Sequence, residues 1–390
     1  MRILCFNPSY PPVACGVGAY TRGLAHALEE AGHDVTVVTS TSSTTYKNGC
    51  PRVLALLAEW DIRAFLRAWP HFWRPRPDLV VSSFPAVVPG RHSRLLYLLP
   101  GLAKLTLRNP RTVFILHEFI RTGDAERSRM RFGLRAADRI VAVTDAERDA
   151  LVARYPSTAA RTVVRNNPAT IPVAAIDPSA DAKVRAQFAP PERPVVAFGG
   201  LLTAPAKGFD DLLEALTRTD ALLVATGSLD PENVYHAHVI AQIERLGLGE
   251  RVRWLGFISD NEIARVLRAV DVVVLPHRSG AESGHTSMLA ALVNGAAVVT
   301  TRGANTPPWL RDGETALLVA PENPDELATA ITRLAGDVQL SAKLRAAAGE
   351  LSFGWADLVE AVVSRGPVPA EAALAGQSPP ESPGRAAPIS

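Results

Sequence analysis

The stretch that decides the fold runs from Asp271 to Leu334 and reads DVVVLPHRSGAESGHTSMLAALVNGAAVVTTRGANTPPWLRDGETALLVAPENPDELATAITRL. It alternates short apolar runs with helical segments, and the runs lie at 271–276, 296–301 and 315–320. Apolar runs of five or six residues between helices indicate strands covered on both faces. The pattern therefore predicts an α/β fold whose parallel sheet is doubly wound.

The loop at 277–287 lies at one carboxyl end of this sheet, the edge at which such sheets bind ligands. A short helix opens near Thr286 and Ser287, and its free amide groups and dipole suit a phosphate oxygen. Gly284 would let the backbone approach closely. The alternative is that Thr286 or Ser287 only caps a structural helix.

Length and composition limit the classes of protein to which this chain can belong. The 390 residues suffice for two domains, and 47% hydrophobic with 21% charged residues is typical of a globular protein. A net charge of +2 gives no sign of a nucleic-acid partner. Three widely spaced cysteines fit a reducing compartment. Neither a signal peptide nor a run of about eighteen apolar residues is found, so we expect a cytoplasmic location.

The first strand-helix-strand unit, at 2–39, carries glycines at its first turn. A nicotinamide-dinucleotide site would need a third glycine where Thr21 stands, and an acid where the second strand ends in Thr39-Ser40. The dehydrogenase interpretation is therefore disfavoured. Gly16 and Gly18 serve either a close approach to a ligand or tight packing of the turn.

Further along, the segment Val53 to Trp73 is aromatic and basic and is interpreted as helical. It suits a surface helix with one buried face, a membrane-surface contact or the frame of an acceptor pocket. A second basic helical stretch spans Arg91 to Arg108. His117 follows a strand, where it either faces a ligand or is a structural residue.

A Pro- and Ala-rich segment divides the chain into two halves. We predict a first Rossmann-like domain at 1–170, a linker at 171–193, a second Rossmann-like domain at 194–340, C-terminal helices at 341–365 that return to the first domain, and a disordered tail at 366–390.

In the second half, the strand ends carry glycine or small polar residues that would line one crevice: Gly199-Gly200, Gly227-Ser228, Gly256 and Gly284. Lys207 follows the first of these ends, between Pro205 and Gly208. It is interpreted either as a positioned phosphate-binding cation or as a solvated surface residue.

The chain resembles the retaining GT-B glycosyltransferases of family 4 through nearly all of residues 1 to 360. The resemblance is carried by these motifs: Tyr10-Pro-Pro12, Gly16-Val-Gly18, the strand-end His117, Gly-Leu-Leu with Pro-Ala-Lys207-Gly208, Leu255-Gly256-Phe257, Ala269-Val-Asp271 with Leu275-Pro276, Glu282, and Asp312-Gly-Glu-Thr-Ala-Leu-Leu-Val319.

The resemblance implies two facing Rossmann-like domains, with the acceptor on the first and a nucleotide-diphosphate sugar on the second. It implies that Lys207 and the amides of Thr286 and Ser287 bind the donor diphosphate, which Gly16 approaches across the cleft. Gly200, Gly227 and Gly284 complete the expected donor-binding set.

For the sugar and the base, the resemblance implies that Glu282 faces the sugar hydroxyls and that His117 lies beside the transferred sugar. The base would lie near Phe257 and Ile258. We expect a metal-independent reaction with no cofactor, in which fixed N–H dipoles and Lys207 stabilise the departing phosphate.

Three departures from the family pattern stand out. Leu201 and Leu202 occupy the region of a phosphate-binding arginine. Gly284-His285 replaces Phe-Gly, and His285 is a candidate to compensate at the diphosphate or the sugar. Ala290 replaces a second glutamate that would bind the ribose hydroxyls.

Two hypotheses of different classes remain. The first is an active glycosyltransferase; the second is a degenerate protein that binds a nucleotide-sugar or a partner without turnover. A nucleotide-sugar epimerase of the same fold has no specific residue in its favour. The acceptor stays open between a lipid, a small metabolite and an antibiotic-like aglycone, and peripheral membrane contact accompanies the lipid alternative.

Overall fold

A computed structural model describes residues 1–13, 15–41, 51–72, 76–85, 94–200, 202 and 204–366. Cys50, Leu201 and the predicted tail beyond residue 366 lie outside the described residues.

The first half is built on a parallel sheet in the order β3-β2-β1-β4-β5-β6-β7. Its strands are β1 (Arg2–Phe6), β2 (Asp34–Ser40), β3 (Arg52–Leu57), β4 (Leu79–Phe84), β5 (Arg111–Leu116), β6 (Arg139–Ala142) and β7 (Thr162–Val164). The central strands are buried along nearly their whole length, as the unbroken apolar runs predict.

A second parallel sheet, in the order β10-β9-β8-β11-β12-β13, forms the other half. Its strands are β8 (Val195–Phe198), β9 (Leu222–Ala225), β10 (Val252–Trp254), β11 (Val272–Leu275), β12 (Val298–Thr301) and β13 (Leu317–Val319). The predicted pair of doubly wound Rossmann-like units is confirmed.

Helices connect and cover the strands: α1 (Gly16–Glu30), α2 (Ile62–Ala68), α3 (Arg94–Thr106), α4 (Asp124–Arg129), α5 (Arg131–Ala136), α6 (Asp145–Arg154), α7 (Pro178–Ala186), α8 (Phe209–Leu216), α9 (Val234–Arg245), α10 (Asp260–Ala269), α11 (Thr286–Val293), α12 (Pro324–Gly336), α13 (Val338–Gly349) and α14 (Ala356–Val363). Among the described residues, no helix is both long and apolar enough to cross a membrane.

The helical prediction for Val53 to Trp73 is wrong at its start. Arg52–Leu57 is the edge strand β3 and pairs with β2, and the helix covers only Ile62–Ala68. The sequence RVLALL is a short apolar run, and its periodicity alone does not separate a strand from a buried helix.

The segment predicted as a linker packs on the second half through α7. Arg185 forms an ion pair with Asp271 at 2.9 Å, and Arg268 of α10 forms one with Asp181 of α7 at 3.1 Å. These contacts attach the crossing segment to the second sheet. The domain limits near residues 170 and 194 stay a prediction.

The C-terminal helix α14 lies against the first half. Leu358 and Val362 are fully buried in the core that α1 covers, and Arg139 donates a hydrogen bond to the carbonyl of Ala361 at 2.6 Å. A Cβ atom on Gly23 of α1 would lie 2.2 Å from the Trp355 ring, so glycine is required for this contact. The chain thus crosses between its halves twice. These crossings hold the carboxyl ends of the two sheets opposite each other.

Candidate active site at the cleft between the two sheets

A cleft of about 1130 Å³ separates the carboxyl ends of the two sheets. Eight of the predicted site residues line it together: Gly16, His117, Lys207, Glu282, Gly284, His285, Thr286 and Ser287. The first two come from the first half and the others from the second half. Ligand-facing groups from both sheets therefore meet at one place.

Four predicted donor-binding residues lie outside the lining of this cleft. Gly200 is directly behind it, because a Cβ atom there would lie 2.5 Å from Ser287 Oγ, and its φ of +124° also favours glycine. Gly227 donates a backbone hydrogen bond to Gly256 at 2.8 Å, which joins the ends of β9 and β10. Beside this junction, Phe257 is 73% exposed and Ile258 is partly buried.

The two glycines of the first turn have different environments. A Cβ atom on Gly18 would lie 1.9 Å from the carbonyl oxygen of Ser9, so this glycine is required for packing. A Cβ atom on Gly16 would meet nothing within 4 Å, and Gly16 lines the cleft. The space over Gly16 is therefore available to a ligand.

The N-terminus of α11 opens into the cleft without a side-chain cap. His285 is the N-cap residue and makes no capping hydrogen bond. Within the described residues, the backbone N–H groups of Thr286 and Ser287 have no hydrogen-bond partner. Because a helix leaves its first N–H groups unpaired and carries positive dipole charge there, this end suits an anion.

Lys207 is held at the cleft by a short 3-10 turn, Pro205–Lys207. Gly208 ends the turn with a φ of +68°, and a Cβ atom there would lie 1.8 Å from the Pro276 carbonyl oxygen. No hydrogen bond or ion pair to the side-chain ammonium of Lys207 is found in the described part of the chain. Burial and then the nearby Arg121 charge lower the pKa of Lys207, and the Glu118 carboxylate partly offsets this shift.

Two imidazoles lie together at the start of α11. The rings of His277 and His285 are 3.7 Å apart between centroids. Burial lowers the pKa of His277 to about 3 and that of His285 to about 2, and the charge of Lys207 contributes to both shifts. Both rings are therefore neutral at physiological pH, and His285 contributes hydrogen bonding rather than charge.

Glu282 lies on the loop before α11 and has contacts from both halves. Its carboxylate is 3.6 Å from the Arg121 guanidinium and accepts a hydrogen bond from Asn305 Nδ2 at 3.4 Å. Its backbone N–H points to His285 Nδ1 at 3.3 Å. The carboxylate is thus positioned at the cleft as an acceptor for hydroxyl groups.

His117 faces Glu282 and Lys207 from the first half. Its ring makes an edge-to-face contact with Tyr20, with centroids 4.5 Å apart, and its Nε2 is buried with no partner among the described residues. Burial lowers the pKa of His117 to about 4, partly offset by the side chain of Asn167. A neutral imidazole with an unfilled nitrogen suits a hydroxyl group of a bound ligand.

Sequence reasoning missed several groups that line the cleft: Tyr20, Arg121, Glu147 and Asn167. Asn167 donates to the Gly284 carbonyl at 3.3 Å and so connects the two halves. Burial raises the pKa of Glu147 to about 7, although its carboxylate accepts the N–H of Ile120 at 3.0 Å. Of these groups, only Arg121 had a sequence signal, its position four residues after a strand-end histidine.

The described residues contain no group of three or more His, Cys, Asp or Glu side chains arranged to hold a metal ion. Two doubly wound parallel sheets that face each other across a cleft are the architecture of the GT-B class. The Glycosyltransferase Family 4 model matches residues 14–169, and the Glycosyl transferases group 1 model matches residues 193–337. With both halves matched in order, the chain belongs to the family 4 GT-B glycosyltransferases.

Relatives and solved structures agree with this assignment. The D-inositol 3-phosphate glycosyltransferase of Mycobacterium marinum is 29% identical over 247 residues, which cover 58% of this chain and 49% of the relative. A second enzyme of that name from Catenulispora acidiphila is 31% identical over 215 residues, 51% of this chain and 48% of the relative. The chain thus spans about half the length of these curated relatives.

Among solved structures, sucrose-phosphate synthase from Thermosynechococcus elongatus superposes with a TM-score of 0.72 at 20% identity, covering 92% of this chain and 96% of that one. HepE from Anabaena, solved with UDP and glucose, superposes with a TM-score of 0.69 at 21% identity, covering 93% and 95%. At such identities the likeness shows the fold.

Proposed function

We propose that the protein transfers a sugar from a nucleoside-diphosphate sugar to an acceptor, with retention of anomeric configuration and without a metal ion. The main supporting observation is that the Lys207 ammonium and the backbone amides of Thr286 and Ser287 have no partner among the described residues. All three residues line the cleft together with His117. Bound solvent or an anion must satisfy them, and a diphosphate has the matching charge.

In this proposal, the groups of the second half act on the leaving phosphate. Negative charge grows on that phosphate as the glycosidic bond breaks, and fixed N–H dipoles with one lysine stabilise it without reorganisation. Glu282 and His117 bind hydroxyl groups of the transferred sugar. Glu282 acts as an anionic hydrogen-bond acceptor. His117 acts as a neutral hydrogen-bond partner, because burial keeps its ring without a second proton at neutral pH.

HepE was solved with UDP and glucose, and the curated relatives are named for D-inositol 3-phosphate. Both names support a nucleotide-sugar donor and a hydroxyl-bearing acceptor for this chain. The acceptor is either a small molecule or a lipid.

For a lipid acceptor, α2 offers a membrane-facing surface, because Ile62 and Leu66 are 44% and 53% exposed beside Arg63 and Arg67. Cosedimentation with anionic phospholipid vesicles, lost on Leu66→Ser, tests that alternative.

A donor screen tests the main proposal. The purified chain is incubated separately with UDP-, GDP-, ADP- and dTDP-sugars, and mass spectrometry detects the freed nucleoside diphosphate. We expect turnover with one donor, strongly reduced in Lys207→Met and retained in the surface control Lys183→Met. Nuclear magnetic resonance of the product then assigns the anomer.

One observation favours the degenerate alternative, a protein that binds without turnover. Ala290 is only 1% exposed in the middle of α11, so it has neither the acceptor oxygen nor the access needed to hold a ribose. Tight binding of a nucleotide-sugar with no transfer or hydrolysis in the same screen would support this alternative over the enzyme.

A further inference from the structure

Arg121 brings a cation from the first half to the donor side of the cleft. It follows β5 in the loop that begins at His117, and its side chain lines the cleft with 58% of its surface exposed. Its Nη2 lies 3.6 Å from the Glu282 carboxylate of the second half. The guanidinium is thus accessible to a ligand and directed across the cleft.

The backbone that carries Arg121 is fixed by buried contacts. The Glu147 carboxylate accepts the Ile120 N–H at 3.0 Å, and Arg127 Nε donates to the Phe119 carbonyl at 3.0 Å. Phe119 itself is fully buried. Because the residues on its N-terminal side are held, the side chain of Arg121 projects from a defined position.

Arg121 and Lys207 form a cationic pair across the cleft. The charge of Arg121 contributes to lowering the pKa of Lys207, and both charges lower the pKa of His285. Arg121 has one ion-pair partner among the described residues, Glu282. The Glu118 carboxylate also lines the cleft and partly offsets the lowered pKa of Lys207, but no ion pair to the Lys207 ammonium is found among the described residues. A diphosphate would supply that ion pair.

The second half supplies little other charge for a diphosphate. Its first loop, residues 199–208, reads GGLLTAPAKG and contains Lys207 as its single cation. A lysine is a point charge, whereas a guanidinium binds two phosphate oxygens at once through its planar fork. A donor diphosphate therefore lacks a bidentate ligand unless one comes from the first half.

We infer that Arg121 is a donor-phosphate ligand supplied across the cleft by the first half, an inference that rests on the proposed function. In this structure its guanidinium is paired with Glu282. When a diphosphate arrives, Arg121 exchanges that carboxylate for phosphate oxygens, and Glu282 is released to accept hydroxyl groups of the sugar. Donor binding thereby draws the two halves together.

A purely positioning role gives a different expectation. If Arg121 only orients Glu282, its loss would weaken binding of a nucleotide-sugar but not of a nucleoside diphosphate or of pyrophosphate, which have no sugar for Glu282 to contact. Ligands with and without the sugar therefore separate the two roles.

The test is isothermal titration calorimetry of the full chain with pyrophosphate, with UDP, GDP, ADP and dTDP, and with the matching nucleotide-sugars. Wild type is compared with Arg121→Gln, with the charge-conserving Arg121→Lys and with Arg131→Gln, an exposed control on α5 outside the cleft lining. Circular dichroism melting verifies that all variants are folded.

We expect Arg121→Gln to weaken the tightest nucleoside diphosphate by about tenfold to a hundredfold, the usual cost of a lost hydrogen bond to a charged group. Pyrophosphate should weaken in parallel, Arg121→Lys should lose less, and Arg131→Gln should match wild type. Unchanged affinity for diphosphate and pyrophosphate in Arg121→Gln, or a loss seen only with the sugar attached, overturns this inference alone. If wild type binds none of these anions, the proposed function fails with it.

Discussion

Replacing Lys207 by methionine should separate binding from stability. In the free protein, Lys207 is a partly buried cation with no partner in the described chain, and burial with the Arg121 charge lowers its pKa. A lowered lysine pKa means that the folded state disfavours the charged form. That cost is fully present below the folded pKa and is lost as pH rises toward the unfolded value. Methionine keeps the length of the stem and removes the charge.

The two effects have opposite signs. Relief of the unpaired charge should stabilise the free protein by about 0.5–2 kcal/mol at pH 7, in the range of other changes that trade function for stability. Loss of one charge-assisted contact should weaken diphosphate binding by about 1.5–3 kcal/mol, or about tenfold to a hundredfold.

Urea unfolding without ligand and calorimetry with nucleoside diphosphates measure both quantities on the same preparations. Lys183→Met is the matched control, because Lys183 is an exposed lysine on α7. The reasoning is refuted if Lys207→Met is less stable than wild type in the absence of ligand while its diphosphate affinity is unchanged. Such a result would mean that the lysine has a structural partner.

Three further perturbations test other parts of the site. Because burial raises the pKa of Glu147 from 4.5 to about 7, the free energy of unfolding should fall by up to ~3 kcal/mol as pH rises through that interval. In Glu147→Gln, the free energy of unfolding in urea should depend less on pH between pH 5 and 8. An unchanged pH dependence would contradict the role given to Glu147. Gly18→Ala should lower the melting temperature by several degrees because its Cβ would strike Ser9, whereas Gly16→Ala should melt like wild type but turn over donor more slowly. Leu358→Ala should cost about 2–5 kcal/mol as a buried α14 contact to the first half, against no measurable loss for Leu105→Ala, which is 77% exposed; equal costs in chemical unfolding would show that α14 does not hold the first half.

The order of strands and helices could be predicted because it depends on local patterns. Unbroken apolar runs such as 272–275 are found in strands buried on both faces, and the breaks around α11 coincide with polar or glycine residues. The same local patterns did not identify the edge strand β3. Its sequence lacks the alternation of polar and apolar residues that marks a strand with one solvent-exposed face. Its pairing with β2 is a tertiary contact, which these six residues do not encode on their own.

The candidate site divides in the same way. Lys207 and Ser287 follow strands of the second half, and their placement at the carboxyl edge is a property of any parallel sheet. Arg121 and Asn167 reach the cleft because the two halves face each other, and no local pattern states that geometry. The contact between His277 and His285 is likewise missed, since the seven residues of loop at 278–284 separate them in sequence.

Several positions at which this chain departs from favourable local structure line the cleft. Tyr20, His117 and Asn167 each leave a buried polar atom without a partner among the described residues, α11 begins without a side-chain cap, and Lys207 is unpaired. Each feature costs stability in the free protein, because a buried polar group without a partner loses its hydration. Sequences under selection for folding alone would replace such groups. A polar, anionic ligand bound in the cleft would satisfy these groups together, and its binding should stabilise the fold by an amount that rises with the logarithm of its concentration over its dissociation constant.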